Sequence, residues 1–219
     1  MVLNLRRILL FLRRLFYCYK TEKVGPKPLD KSKTNLEKVK IMKPLEKFKK
    51  LDEFFDKWIV KDRQWNAIVI HHSATKDGQT FDSQSIRDYH IKVQGWQEIG
   101  YHLLIEKIQD EWYYVLGRPL TMSGAHAGTK SSVLYNKIGI GICLVGNYDK
   151  ETPNQETLAM LKNVVKKLMD FYNIIRDNVI GHWEVFIRLG LAKTKEEAWT
   201  KYKTCPGKMF DLNNFRGEL

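Results

Sequence analysis

The apolar run IGIGICLVG at residues 138–146 constrains the fold more than any other feature of this chain. An uninterrupted apolar run of this length is typical of a central strand that is covered on both faces. Strand patterns and helical patterns alternate on both sides of it. The sequence therefore predicts an α/β fold built on a mixed sheet.

The other elements follow from apolar periodicity. Strand patterns lie at residues 67–74, 100–108, 111–117 and 178–183, and helical patterns lie at 85–96, which stops at Gly95, and at 154–172. Thr194 and Glu197 have the spacing of a capping box and predict the start of a last helix. We expect a single domain with a central mixed β-sheet flanked by helices, preceded by a basic N-terminal helix and linker.

The net charge of +12 is concentrated in the N-terminal part of the chain. Residues 1–60 hold 16 Lys and Arg against 7 Asp and Glu, whereas the remaining 159 residues hold 21 against 18. A nucleic-acid-binding domain more often carries its basic charge on the folded reading element. We therefore expect no specific nucleic-acid partner, and an anionic surface near the N-terminal tail instead.

Residues 1–20 combine apolar and basic side chains at helical spacing. Arg6 and Arg7 recur seven residues later as Arg13 and Arg14, which places the charges on one face of a helix. The apolar stretch is too short and too charged to span a bilayer. The pattern predicts an interfacial amphipathic helix on anionic lipid. A disordered leader is one alternative. A cleaved signal peptide is a poorer one, because the hydrophobic region is split and no small-residue cleavage site follows.

Residues 21–50 are rich in Lys and contain Pro26, Pro28 and Pro44, so they are predicted to be a solvated linker. The segment LDEFFDKWIV at 51–60 is predicted to form a short helix packed on the body of the domain. The expected divisions of the chain are therefore the N-terminal segment at 1–20, the linker at 21–50 and the folded domain at 51–219.

Candidate metal ligands stand at the ends of the predicted elements. They are His71 and His72 after the first strand, His182 at the end of a late strand, and Cys205 in YKTCPG. Neighbouring strand residues point to opposite faces, so only one of His71 and His72 can enter a given site. The three cysteines are widely spaced and imply no disulfide framework. Cys143, in the central run, is expected to be a small buried hydrophobe.

Six motifs in a fixed order carry a family resemblance. They are VIHHSAT (69–75), SIRDYHIKVQGWQEIGYHLLI (85–105), GRPLTMSGAHAGT (117–129), NKIGIGICLVGNYD (136–149), GHWEV (181–185) and KTCPG (203–207). Together they resemble the superfamily of peptidoglycan recognition proteins and type 2 N-acetylmuramoyl-L-alanine amidases, including the phage lysozyme-type amidases. The resemblance covers about residues 65–210 and implies that 51–219 is a zinc amidase domain.

The resemblance implies a Zn²⁺ site made by His71, His182 and Cys205. A hydrolytic zinc site needs three protein ligands and an open position for water. Tyr101 and Lys203 match the family's catalytic positions. The implied roles are hydrogen bonding to the attacking water for the tyrosine and oxyanion stabilisation for the lysine.

The implied reaction is hydrolysis of the amide between N-acetylmuramic acid and the L-alanine of a stem peptide. The implied partner is therefore peptidoglycan or a muropeptide. Residues expected to bind this substrate are His126, His72, Trp96 and Arg118. His90 and His102 are expected to have structural or supporting roles.

Two departures from the family pattern matter. Cys143 stands where cytoplasmic amidases of anhydro-muropeptides carry a catalytic glutamate, which favours the tyrosine-dependent branch. An insert, FIRLGLAKTKEEAWTKY, precedes Cys205 and is expected to form a helix beside the site.

Other functional hypotheses stay open at this point. Non-catalytic members of the superfamily bind muropeptide in the same groove, so a recognition module is the main alternative to an enzyme. An inhibitor or adaptor is a third possibility, because a phage member also binds a polymerase. The expected location is the cell envelope or a membrane surface, with a cytoplasmic or phage-lysis setting as the alternative.

Overall fold

The central apolar run lies in the middle of a mixed β-sheet. The computed structural model of the chain describes residues 43–76, 82–128 and 132–219. The strands are β1 (Lys47–Phe48), β2 (Ala67–His72), β3 (Leu103–Ile108), β4 (Glu111–Leu116), β5 (Gly139–Leu144) and β6 (Val179–Gly181). They form a six-stranded sheet in the order β1-β4-β3-β5-β2-β6. Every residue of β5 is buried, as the sequence predicted.

The sheet has a parallel half and an antiparallel half. β5 pairs in parallel with both β3 and β2, and β2 pairs in parallel with β6. β4 pairs in antiparallel fashion with both β3 and β1. The short turn between β3 and β4 places both Gln109 and Asp110 at positive φ, as a tight hairpin requires. The predicted mixed α/β sheet is therefore confirmed.

Helices flank the sheet. They are α1 (Leu51–Trp58), α2 (Asp82–Asp88), α3 (Val133–Ile138), α4 (Gln155–Tyr172), α5 (His182–Arg188), α6 (Lys195–Lys201) and α7 (Leu212–Gly217). The long helix α4 begins where the Asn154 side chain accepts the backbone N–H of Thr157, and it ends at Asn173 in the left-handed region. Its Leu161 and Leu168 enter the main core. None of the helices in the described ranges is both long and apolar enough to cross a membrane.

Three elements differ in detail from the sequence prediction. The helical pattern at 85–96 is α2 followed by a π-helical turn, Tyr89–Val93. The late strand ends at Gly181, because Glu184 accepts the N–H of Gly181 and caps a helix that starts at His182. The insert contributes the end of α5 and all of α6, so it forms two helices where one was expected.

The folded unit begins before the expected boundary at residue 51. Leu45 is buried, and Lys47 and Phe48 pair with β4. The prediction of a solvated linker is therefore wrong for residues 43–50. Part of this segment pairs with the outer edge of β4, whose backbone groups would otherwise lack a neighbouring strand. The predicted helix at 51–60 is confirmed by α1, whose Phe54, Phe55 and Trp58 are buried. The predictions for residues 1–20 and 21–42 lie outside the described residues.

Candidate metal centre and cleft

Two candidate ligands meet because their strands run parallel. β2 ends in His71 and His72, and β6 ends immediately before His182. Parallel neighbours bring their carboxyl ends to the same edge of a sheet, where open α/β sheets commonly bind ligands. The rings of His71 and His182 are 4.7 Å apart between centroids.

The alternation of side chains along β2 separates its two histidines. His71 contacts the rings of His182 and Tyr101. His72 instead lies over Tyr148, whose backbone N–H donates to His72 Nδ1 at 3.1 Å. Of the pair, His71 is therefore the one beside His182.

Cys205 reaches the site on a loop that is held at several points. The N–H of Trp183, at the start of α5, donates to the Cys205 carbonyl at 3.0 Å. Asp149 accepts the Thr204 hydroxyl at 2.8 Å and the Lys208 N–H at 3.0 Å, one on each side of the cysteine. The loop is thus fixed both to the chain that follows β5 and to the start of α5.

The glycine of the KTCPG motif has a conformational reason. Gly207 has φ +119°, and a Cβ there would lie 2.4 Å from the Tyr148 backbone. Only glycine fits this close approach at positive φ. The glycine of the motif is therefore required by the close packing of the cysteine loop on the chain after β5.

The donor atoms of His71, His182 and Cys205 all lie within 4.8 Å of one another. Cys205 Sγ is 3.5 Å from His71 Nδ1. All three residues are buried, and His182 Nε2 has no hydrogen-bond partner among the described residues. A buried nitrogen without a partner costs free energy unless something coordinates it. This orphaned atom fits a metal ligand.

Burial keeps the histidines neutral. It lowers the pKa of His71 well below its ordinary value, and the neighbouring His182 and His126 lower it further. Burial also lowers the pKa of His182 to about 3, with His126 and Lys203 adding to the effect. Neutral imidazoles have the free lone pair that a metal needs.

The thiol of Cys205 behaves differently. Burial raises its pKa to about 12, against the opposing effects of the His72 amide, which lies 3.4 Å from Sγ, and of Lys203. A bound cation would supply the positive charge that favours the thiolate. Two imidazole nitrogens and one sulfur are a donor set that Zn²⁺ accepts, with a fourth position left for water.

Tyr101 and Lys203 lie beside this group. The Tyr101 ring is 5.2 Å from the His71 ring, and Lys203 lines the same cleft. Burial raises the pKa of Tyr101 well above its usual range, and the thiols of Cys143 and Cys205 raise it further. Tyr101 is therefore a neutral phenol that can donate and accept hydrogen bonds.

The cleft above the three ligands has a volume of about 600 Å³. His72, His126 and Trp96 line it, and their binding of a substrate stays a prediction. Trp96 stacks on His90, with 4.5 Å between ring centroids. His90 also lines the cleft, and its Nδ1 accepts the Gly100 N–H at 3.2 Å.

Arg118 is not a cleft residue, which corrects its expected role in substrate binding. It is 8% exposed, and its guanidinium donates to the carbonyls of Glu98, Ile99 and Ser123 at 2.9–3.0 Å. A guanidinium whose three nitrogens each donate to a backbone oxygen is held in place by the protein itself. Arg118 instead joins the segment before Tyr101 to the loop that carries His126.

His102 has the structural role expected for it. Its Nδ1 accepts the Gly141 N–H at 3.0 Å, and its Nε2 lies 3.2 Å from the Met122 carbonyl. Burial lowers its pKa well below the ordinary value. Both ring nitrogens are occupied by backbone groups, so the ring ties β5 to the following loop.

Sequence analysis assigned no role to two residues that support the site. Asn136 is buried and hydrogen-bonds the loop around His126, and Phe186 stacks on His182 at 5.6 Å. An uncharged polar residue close to the start of an apolar run is a weak signal, and it could have drawn attention to Asn136, two residues before Ile138. Nothing in the sequence indicates which groups these side chains contact.

A mixed sheet with a buried His–His–Cys group at the ends of its parallel strands has the organisation of an α/β domain with a candidate metal centre. The chain belongs to the N-acetylmuramoyl-L-alanine amidase family, whose model matches residues 61–208.

Individual relatives agree with this assignment. The endolysin of Escherichia phage T7 is 39% identical over 84 residues, which is 38% of this chain and 50% of the endolysin. The chain thus spans about half the length of that relative. The amidase LysC from Clostridium intestinale is 26% identical with a TM-score of 0.51, over 71% of this chain and 85% of LysC.

A Drosophila peptidoglycan recognition protein, PGRP-LB, shares the fold. Its structure as a mutant in complex with tracheal cytotoxin is 23% identical with a TM-score of 0.51, over 68% of this chain and 79% of that protein. The expected resemblance to both amidases and recognition proteins is therefore confirmed.

Proposed function

We propose that this chain is a zinc-dependent N-acetylmuramoyl-L-alanine amidase that releases stem peptides from peptidoglycan. The observation that carries the proposal is the group of His71, His182 and Cys205, whose donor atoms lie within 4.8 Å of one another. The unpartnered Nε2 of His182 supports a metal in this position. Family membership and the endolysin relative support the same reaction.

The chain's own residues have separable tasks in this reaction. When bound, zinc polarises the amide carbonyl and lowers the pKa of water. Tyr101 holds its phenolic proton and can orient the attacking water. As the phenol donates that proton to the leaving amine, it takes up the proton that the water loses. Lys203 brings a positive charge to the cleft, where it can stabilise the oxyanion that the attack creates.

The cleft fits a substrate that has both a sugar and a peptide part. Its lining includes the stacked pair of Trp96 and His90 on one side, and Val133 contributes an exposed apolar side chain. Flat aromatic faces pack against sugar rings and apolar stems. Peptidoglycan or a muropeptide is therefore the proposed partner, and the cell envelope is the proposed place of action.

Release of peptide from purified peptidoglycan tests the proposal. We expect the wild type to generate free L-alanine amino termini, and we expect Cys205→Ala and chelator-treated protein to release almost none. Added Zn²⁺ should restore the chelated wild type but not Cys205→Ala. Cys18 lies outside the residues that the family model covers. Cys18→Ala is therefore the control for loss of a cysteine and should be fully active.

The outcomes separate the rival functions. Equal release by all samples would rule out the zinc mechanism. Binding of peptidoglycan by the wild type without any release would favour a recognition module that uses the same cleft.

We also propose that residues 1–20 hold the domain at an anionic membrane surface, on the strength of their amphipathic and basic pattern alone. Co-sedimentation with anionic vesicles, with and without residues 1–20, tests this. Equal binding by both proteins would exclude the role.

A further inference from the structure

One loop contacts a histidine ligand of the candidate metal centre. This histidine loop is residues 124–128, GAHAG. The Nδ1 of His126 lies 3.0 Å from His71 Nε2.

The direction of the hydrogen bond between His71 and His126 follows from the partner of the other ring nitrogen of His126. His126 Nε2 lies 3.1 Å from the Gly139 carbonyl, which can only accept, so this nitrogen carries the proton. In a neutral imidazole the other nitrogen is then an acceptor. His71 Nε2–H must therefore donate to His126 Nδ1. The lone pair of His71 is left on Nδ1, the atom that faces Cys205 Sγ at 3.5 Å.

Asn136 holds the histidine loop in place through four hydrogen bonds. Its Oδ1 accepts the N–H groups of His126 at 2.8 Å and Ala127 at 2.7 Å. Its Nδ2 donates to the Gly128 carbonyl at 2.8 Å, and its own carbonyl accepts the Gly124 N–H at 2.8 Å. Asn136 is 6% exposed, so these bonds are sheltered from water.

We infer that Asn136 is a positioning residue of the metal centre. By fixing the histidine loop, it decides which nitrogen of His71 is free to bind the metal. A partner that fixes the tautomer of a ligand histidine strengthens metal binding. The inference rests on the proposed zinc site and adds a residue that acts on the metal centre through the histidine loop.

Zinc affinity and histidine tautomers together test this role. We expect Asn136→Ala to weaken Zn²⁺ binding about 10- to 100-fold in competition with a chromophoric chelator, the usual effect of losing an outer partner. Asn136→Asp is nearly isosteric but places an oxygen opposite the Gly128 carbonyl, and it should also weaken binding. It serves as the test if Asn136→Ala does not fold.

Nitrogen-15 spectra of the zinc-free protein report the tautomers directly. The wild type should show His71 and His126 protonated at Nε2. In the Asn136 variants, His71 should show mixed tautomers. Asn154→Ala, which removes the helix-capping asparagine of α4, is the matched control: it should lower stability without changing zinc affinity or tautomers.

The results distinguish this inference from the proposed function. Wild-type zinc affinity and unmixed tautomers in both Asn136 variants would overturn the role of Asn136 and leave the amidase proposal intact. Failure of the wild type itself to bind Zn²⁺ would overturn the metal centre, and the positioning role with it.

Discussion

The imidazole of His182 stacks on the phenyl ring of Phe186, with 5.6 Å between ring centroids and 21° between planes. Phe186 in turn stacks on Tyr202 at 4.3 Å and 7°. Tyr202 directly precedes Lys203, and its hydroxyl donates to the Leu191 carbonyl at 3.2 Å. The insert before Cys205 is therefore part of the support of a candidate metal ligand.

Removing the middle ring of this stack should weaken both the fold and the metal site. Phe186 is buried, so we expect Phe186→Ala to lower the free energy of unfolding by about 3–5 kcal/mol. Zinc affinity should fall as well, because His182 loses the ring that fixes its plane. Phe171→Ala is the control, since Phe171 is 36% exposed and should cost much less. Unchanged stability and zinc affinity in Phe186→Ala would contradict the supporting role.

The phenol of Tyr101 should matter for turnover but not for metal binding. Tyr101→Phe keeps the ring beside His71 and removes the hydroxyl. We expect kcat to fall about 10²- to 10⁴-fold, the range for loss of a proton-transfer group. Tyr113→Phe removes an exposed hydroxyl that donates to Glu111, and it should keep full activity. A fully active Tyr101→Phe would exclude the proposed proton transfer.

Gly141 leaves the space that the His126 ring occupies. A Cβ at this position would lie 2.4 Å from His126 Cδ2. Gly141→Ala should therefore displace His126 from His71 and reduce zinc affinity about 10-fold or more. Gly217→Ala is the control, because a Cβ there meets no atom within 4 Å. Equal zinc binding by Gly141→Ala and the wild type would show that the His126–His71 contact does not support the metal.

An ion pair joins α2 to the segment that leads into Tyr101. Arg87 contacts both carboxylate oxygens of Glu98, with side-chain exposures of 11% and 18%, and Glu98 also accepts the Ile99 N–H. Breaking a largely buried pair leaves an unpaired charge, so Arg87→Ala should cost about 3–5 kcal/mol in unfolding experiments.

The exposed pair of Lys92 and Asp88 provides the comparison for Arg87. Lys92→Ala should change the free energy of unfolding by less than about 1 kcal/mol. Similar effects of the two substitutions would show that burial does not strengthen the Arg87–Glu98 pair.

The stability of the metal-free protein should fall as the solution becomes acidic. Burial lowers the pKa of His126 to about 4 and of His182 to about 3, from 6.5 in an exposed histidine. Above pH 6.5 neither the folded nor the unfolded chain binds these protons, and the full stability is present. Below it the unfolded chain takes up protons first, so each histidine removes about 1.4 kcal/mol per pH unit down to its folded pKa.

Thermal unfolding in the presence of a chelator, from about pH 7 to pH 4.5, measures this effect. His126→Gln should show a shallower dependence than the wild type, because one of the protonating groups is gone. A melting temperature that is constant over this range would contradict the neutral, buried state of these histidines.

Local patterns predicted most elements of the fold. The apolar run at 138–146 and the helical spacing at 154–172 correspond to β5 and α4, because both lie where burial and periodicity agree. Positions 43–50 were mispredicted, because a Lys-rich segment can still pair with the open edge of a sheet. Arg118 was misassigned because the sequence of a motif does not show whether an arginine side chain faces a substrate or backbone carbonyls.

The sequence by itself determined the order of strands and helices and the candidate donors His71, His182 and Cys205, since motif order and residue chemistry are local properties. Tertiary structure alone decided which nitrogen of His71 is free, that Asn136 holds the loop that orients this ring, and that Phe186 stacks on His182. Hydrogen-bond direction and ring packing depend on groups that are distant in the chain, so they exist only once the strands have brought those groups together.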